Sequence, residues 1–203
     1  MSLPSDDLAH LIGARICHDL VSPIGAISNG LELLAMMSES GPSEEMALVE
    51  DSARAATARI QLFRLAFGTC DPAARMRFAD LATIFDGAFA GGRLSVHWTG
   101  PDELPRTEAQ AGALAVLCVE SVLPRGGDIR ATFDGTAGWQ VDTEATPRRE
   151  TDLWTLVAAP GAGAGADQMR PAEVQFGLLA AFVARSDRTA RVEDGPERLV
   201  LTF

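Results

Sequence analysis

The stretch His18-Asp19-Leu20-Val21-Ser22-Pro23-Ile24-Gly25-Ala26-Ile27-Ser28-Asn29-Gly30-Leu31-Glu32-Leu33-Leu34 decides how the chain is read. On a helical wheel at about 100° per residue, Ile16, Leu20, Ile24, Ile27, Leu31 and Leu34 fall on one side, which must face a core. His18 points the opposite way, in a stripe with Leu11, Arg15, Ser22, Gly25 and Asn29. The imidazole is therefore expected on the surface. Its neighbours one and two turns on, Ser22, Gly25 and Ala26, are small and leave open space beside it. Pro23 lies inside the helix, where proline typically costs about 3 kcal/mol and introduces a kink. Such a cost is easier to understand where a surface needs shaping.

Working outward, the helix containing this stretch runs from Asp6 to about Met37, with Ser5 as N-cap and Asp6 and Asp7 in its first turn. At 1.5 Å per residue it is a rod of roughly 45 Å. Ser38-Glu39-Ser40-Gly41-Pro42 breaks it, and Ser43 caps a second, alanine-rich helix running to about Phe67. A hairpin of two such helices cannot bury its apolar stripe alone, whereas two copies can, as a four-helix bundle. A homodimer is expected.

After Cys70-Asp71-Pro72 the pattern changes to alternating elements. Helices are expected at 80–90, 108–123, 151–158 and 171–185, and strands at 93–98, 128–134, 138–143, 189–193 and 198–203, the last two flanking the turn Asp194-Gly195-Pro196. The fold class is α+β: a helical hairpin over residues 1–70, then an α/β sandwich over 75–203 with its helices on one face of a mixed sheet. Gly161–Ala166 (GAGAGA) reads as a flexible linker.

Composition narrows the function. A net charge of −11 argues against a nucleic-acid footprint. No apolar run approaches the roughly 20 residues of a membrane helix, and the N-terminus has no signal-peptide pattern. Cys17, Cys70 and Cys118 are widely spaced, with neither a closed disulfide set nor metal-ligand spacing, so a reduced cytoplasmic setting is expected. Lysine is absent, which excludes a phosphate-binding loop ending in Gly-Lys-Ser/Thr. Asparagine occurs once, at Asn29. His10 sits two helical turns before His18 and about 80° around the helix and is read as a surface residue, while His97 alternates with Val96 and Trp98 in a strand and is read as structural.

An exposed neutral imidazole is a competent nucleophile near pH 7. Asp19 could hydrogen-bond the second ring nitrogen, fix the tautomer and support the positive charge that builds as a phosphoryl group arrives. A surface histidine beside an aspartate is nevertheless common, and spacing alone leaves the structural alternative open.

The stretch from His18 to Ile27 resembles the H-box of sensor histidine kinases: a phosphoacceptor histidine, an acid, leucine, two variable residues and proline. The longer string HDLVSPIGAISNGLELL resembles more specifically the ChpT-type histidine phosphotransferases of alphaproteobacterial relays. That resemblance implies that His18 is phosphorylated, that Asp19 is its acidic neighbour, and that Ser22 stands where many kinases carry Thr or Asn. The C-terminal half resembles a kinase ATP-binding domain without its ligands. Where the resemblance places an asparagine-bearing helix, the chain reads Leu117-Cys118-Val119-Glu120-Ser121-Val122-Leu123. Where a glycine-flanked aspartate would meet adenine, it reads Leu156-Val157-Ala158-Ala159-Pro160.

The expected function is thus phosphotransfer in a multistep relay, without ATP. His18 would accept a phosphoryl group from the receiver domain of a hybrid histidine kinase and pass it to response regulator receivers. Arg15, Ser22, Gly25, Ala26 and Asn29 are the candidate docking surface. No cofactor or metal is expected on this chain, since the receiver would bring the magnesium. The rival readings are an ATP-dependent kinase core and a non-catalytic, receiver-binding dimer.

Overall fold

Ile129, Ala131 and Phe133 alternate with Asp128, Arg130, Thr132 and Asp134, and this period of two orients the sheet, with the apolar set buried and the polar set exposed. The computed structural model describes residues 12, 13, 15, 16, 20, 23–27, 29–31, 33, 34, 44–148, 151–159 and 169–203. All described residues between 12 and 34 are helical. Helix α1 follows at Glu44–Phe67, then β1 at Arg75–Arg77, α2 at Phe78–Phe89, β2 at Leu94–Thr99 and β3 at Glu103–Pro105. Helix α3 is Arg106–Ser121, with β4 at Gly127–Asp134, β5 at Gly138–Thr143 and α4 at Thr151–Ala158. A 3-10 turn at Pro171–Glu173 leads into α5 at Val174–Arg185, and β6 (Arg191–Asp194) and β7 (Leu199–Thr202) close the chain.

The main sheet has the order β2-β4-β5-β7-β6. β2 and β4 are parallel, so the chain must cross over between them, and α3 is that crossover. The other pairs are antiparallel, the β6–β7 hairpin closing where Gly195 N–H donates to Arg198 C=O at 2.8 Å. The class expected from sequence, mixed α and β with a sheet, is the one observed.

Helix α3 is the centre of the core. Residues 111 to 119 are buried without interruption, because the helix is covered by α1 and α5 and lies on β4 and β5. A helix apolar all round belongs in an interior rather than on a surface. Gly112 permits the close approach: a Cβ there would fall well inside van der Waals contact of the Trp139 indole. Around that contact Phe78, Phe85, Trp98, Phe133 and Trp139 form an aromatic cluster with centroid separations of 4.9 to 6.4 Å.

Boundaries moved by a few residues. α3 begins at Arg106 because Pro105 sits at its N-cap, and Pro171 starts the last helix as a 3-10 turn. The antiparallel pair β1–β3 has no counterpart in the expected elements, since three-residue strands carry no usable periodicity. The N-cap at Ser5, the break at 38–42 and the GAGAGA run lie outside the described residues.

Candidate functional site

His18, Asp19 and Ser22 lie outside the described residues, and the site is defined by what surrounds them in sequence. Gly25 and Asn29, assigned to the same helical stripe, are both helical and exposed, and Ala26 is half-buried. A methyl group at Gly25 would meet nothing within 4 Å, so open space adjoins the helix at that level.

Arg15 is placed differently. Its Nη1 donates to Ala172 C=O at 3.0 Å, which ties the N-terminal helical residues to the turn that begins α5. A contact between positions 157 residues apart has no local sequence signal. The second tie was also invisible: Gln110 Nε2, on α3, donates to Ala66 C=O at 3.2 Å and Gly68 C=O at 2.8 Å. Those are carbonyls at the C-terminal end of α1, which no intrahelical donor can satisfy.

The apolar stripe is only partly covered. Ile16, Leu20, Ile27 and Leu34 are half-buried, whereas Ile24 and Leu31 are exposed, together with Leu33 and, on α1, Met46 and Ile60. The expectation that the whole stripe faces a core is not met within one chain.

The segment Leu117–Val119 of α3 turns apolar side chains into the core. Leu117, Cys118 and Val119 are buried, and burial pushes the Cys118 thiol well above its ordinary value, so it stays protonated. Arg148 N–H donates to Val122 C=O at 2.7 Å, closing the chain after β5 onto the end of α3. His97 is exposed on the open face of the sheet, with Nε2 3.6 Å from Asp128 Oδ1. Among the described residues no group of three or more His, Cys, Asp or Glu could hold a metal ion. Among them, too, no helix is long and apolar enough to cross a membrane.

Comparison with known proteins fits this fold. The histidine phosphotransferase C-terminal domain family matches residues 78–198, more than half of the chain. The protein phosphotransferase ChpT of Brucella abortus (strain 2308) is 37% identical over 143 residues, which cover 67% of each chain. A bacterial phosphotransferase of known structure superimposes with a TM-score of 0.80 and 28% identity, over 99% of this chain and 97% of the other. The chain belongs to the histidine phosphotransferase family. Its activity is that of a phosphotransferase in a phosphorelay.

Proposed function

We propose that the phosphoryl group passes through His18, between receiver domains, on a dimer of this chain and without ATP. The observation that carries this reading is the contrast between two helices. The N-terminal helical residues present an open, polar stripe at Gly25 and Asn29, whereas α3, in the position of a nucleotide-binding helix, is buried and apolar from residue 111 to 119. A fold without its ligand groups does not carry the function.

In this reading residues 1–70 form a helical hairpin that pairs with a second copy as a four-helix bundle, and residues 75–203 form the kinase-like domain that has lost ATP. The exposed Ile24 and Leu31 support the pairing, because an uncovered apolar helix face is stable only when buried against another. A hybrid kinase's receiver domain presents its aspartyl phosphate in line with a ring nitrogen of His18. The N–P bond forms as the acyl phosphate O–P bond breaks, leaving the aspartate as carboxylate. Asp19 orients the imidazole and supports its positive charge. Ser22, Gly25, Ala26 and Asn29 border the ring and form the docking surface, with Arg15 at its edge. Phosphoryl transfer needs mainly positioning and charge stabilisation, and the receiver's magnesium supplies much of the latter. The second transfer, to a response regulator receiver, reverses these steps. Receivers of this kind place the protein in the cytoplasm.

The test is a reconstituted relay with a labelled phosphoreceiver, this chain and a second receiver. His18→Ala is expected to abolish arrival of label at the second receiver while leaving the dimer intact. Undiminished transfer by that variant would refute the proposal. Incubation with labelled ATP and magnesium alone is expected to leave the protein unlabelled, and labelling of His18 would establish a kinase instead.

A further inference from the structure

Five of the 17 arginines converge on one groove, although the chain carries a net charge of −11. A cavity of about 460 Å³ lies at the end of α3, and Arg15, Arg93, Arg148 and Arg170 line it. A neighbouring cavity of about 290 Å³ shares Arg93 with it and adds Arg59 from α1. Among the described lining residues the arginines outnumber the carboxylates, Glu120 and Glu173, by five to two. Glu173 is committed to Arg170, accepting from its backbone N–H at 3.0 Å and from its Nε at 2.6 Å.

The two cations of the second cavity stand apart from these pairings. Arg59 lies with its guanidinium carbon 5.1 Å from the centroid of the Phe89 ring, and its Nη1 is buried with no hydrogen-bond partner. A buried donor without an acceptor is costly, and a charged one more so. Arg93 is exposed and pairs with no carboxylate among the described residues. Its place is fixed by the turn after α3. Gly127 N–H donates to Arg93 C=O at 2.9 Å, and Gly126, at φ +79°, leaves no room there for a side chain against that carbonyl. Leu123 and Pro124 give both cavities an apolar wall.

We infer that this groove binds a small polyanion, a phosphate ester or polyphosphate or else a polycarboxylate. The combined cavity suits a small molecule. Arg59 and Arg93 beside a low-dielectric wall concentrate anions, and guanidinium forks match phosphate and carboxylate oxygens alike. Arg15 and Arg59 come from the N-terminal helices, and Arg93, Arg148 and Arg170 from the sheet-bearing part. A bound anion would therefore brace the described N-terminal helical residues against the rest of the chain. The proposal does not depend on phosphotransfer at His18.

The experiment is calorimetric titration of the full-length protein, in magnesium-free buffer of low ionic strength, with inorganic pyrophosphate and, in a separate arm, with citrate. One saturable site per chain is expected, weakened about tenfold or more by Arg93→Ala or Arg59→Ala. Arg191→Ala, at an exposed position on β6, should leave the affinity unchanged, with circular dichroism verifying the fold of each variant. Pyrophosphate binding assigns the site to phosphates, and binding of citrate alone assigns it to carboxylates. Failure of both to bind, or equal affinity in wild type and Arg93→Glu, would overturn the inference.

Discussion

The N-terminal helices and the sheet-bearing part that follows solve the problem of burial in opposite ways. The core of the sheet-bearing part, which takes in Leu62, Leu65 and Ala66 from the end of α1, is closed within one chain, with Leu81, Phe85, Ile129, Val141, Phe176, Leu179, Leu199 and Leu201 inaccessible to solvent. Among the described residues the exposed large apolar side chains, Ile24 at 53%, Leu31 at 55%, Leu33, Met46 and Ile60 at 45%, all belong to the two N-terminal helices. The end of α1 belongs to the closed core, whereas these other positions of the N-terminal helices lie uncovered in a single chain. The chemistry follows the same division. The proposed phosphoacceptor, His18, belongs to the N-terminal part, whereas the sheet-bearing part has filled its interior with apolar side chains.

The largest expected effect bears on that contrast directly. Leu31→Asp, placing a charge on the uncovered stripe, should convert the proposed dimer to monomers in sedimentation equilibrium, whereas the exposed sheet-face substitution Thr132→Asp should not. A Leu31→Asp protein that remains fully dimeric would put the interface elsewhere. Within the closed core, Gly112→Val forces a branched side chain against Trp139 and should cost about 1–3 kcal/mol or more, read from urea unfolding. Native Cys70, which is partly accessible, should be alkylated readily near pH 8, while Cys118 should react only after unfolding. Site-resolved mass spectrometry checks this, and equal labelling of both would show that α3 opens.

The smallest effect concerns Asp134 at the β4–β5 turn. Its Oδ1 accepts from Thr136 Oγ1 at 2.6 Å and from the backbone N–H groups of Thr136 and Ala137, which holds its pKa down to about 2. Because the folded value lies below the unfolded one, the stabilisation is fully present above the ordinary carboxylate range. It is lost as pH falls through about 2. The carboxyl carbon shift in an NMR titration should move near that pH, and a midpoint near 4 would mean the turn is open in solution.

Much of this was legible in the sequence for local reasons. β4 and β5 follow from alternation, α1 from its alanine-rich run, and the β6–β7 hairpin from Asp194-Gly195-Pro196. What escaped was non-local. The β1–β3 pair, Gln110 reaching the end of α1, Arg15 reaching Ala172, and the convergence of Arg59 and Arg93 all join positions far apart in the chain. A single sequence carries no periodicity for such contacts. The H-box was legible as a resemblance rather than from physics, since the wheel that turns His18 outward does not by itself make a surface histidine reactive.

The central claim is that the phosphoryl group resides on His18. Trypsin cuts after Arg15 and Arg54, so that residue falls in a peptide, Ile16–Arg54, that contains no other histidine. Wild-type protein incubated with a labelled phosphoreceiver should carry alkali-stable, acid-labile phosphate on that peptide. Label confined to another peptide, or a protein that binds the phosphoreceiver tightly yet acquires no label, would contradict the account.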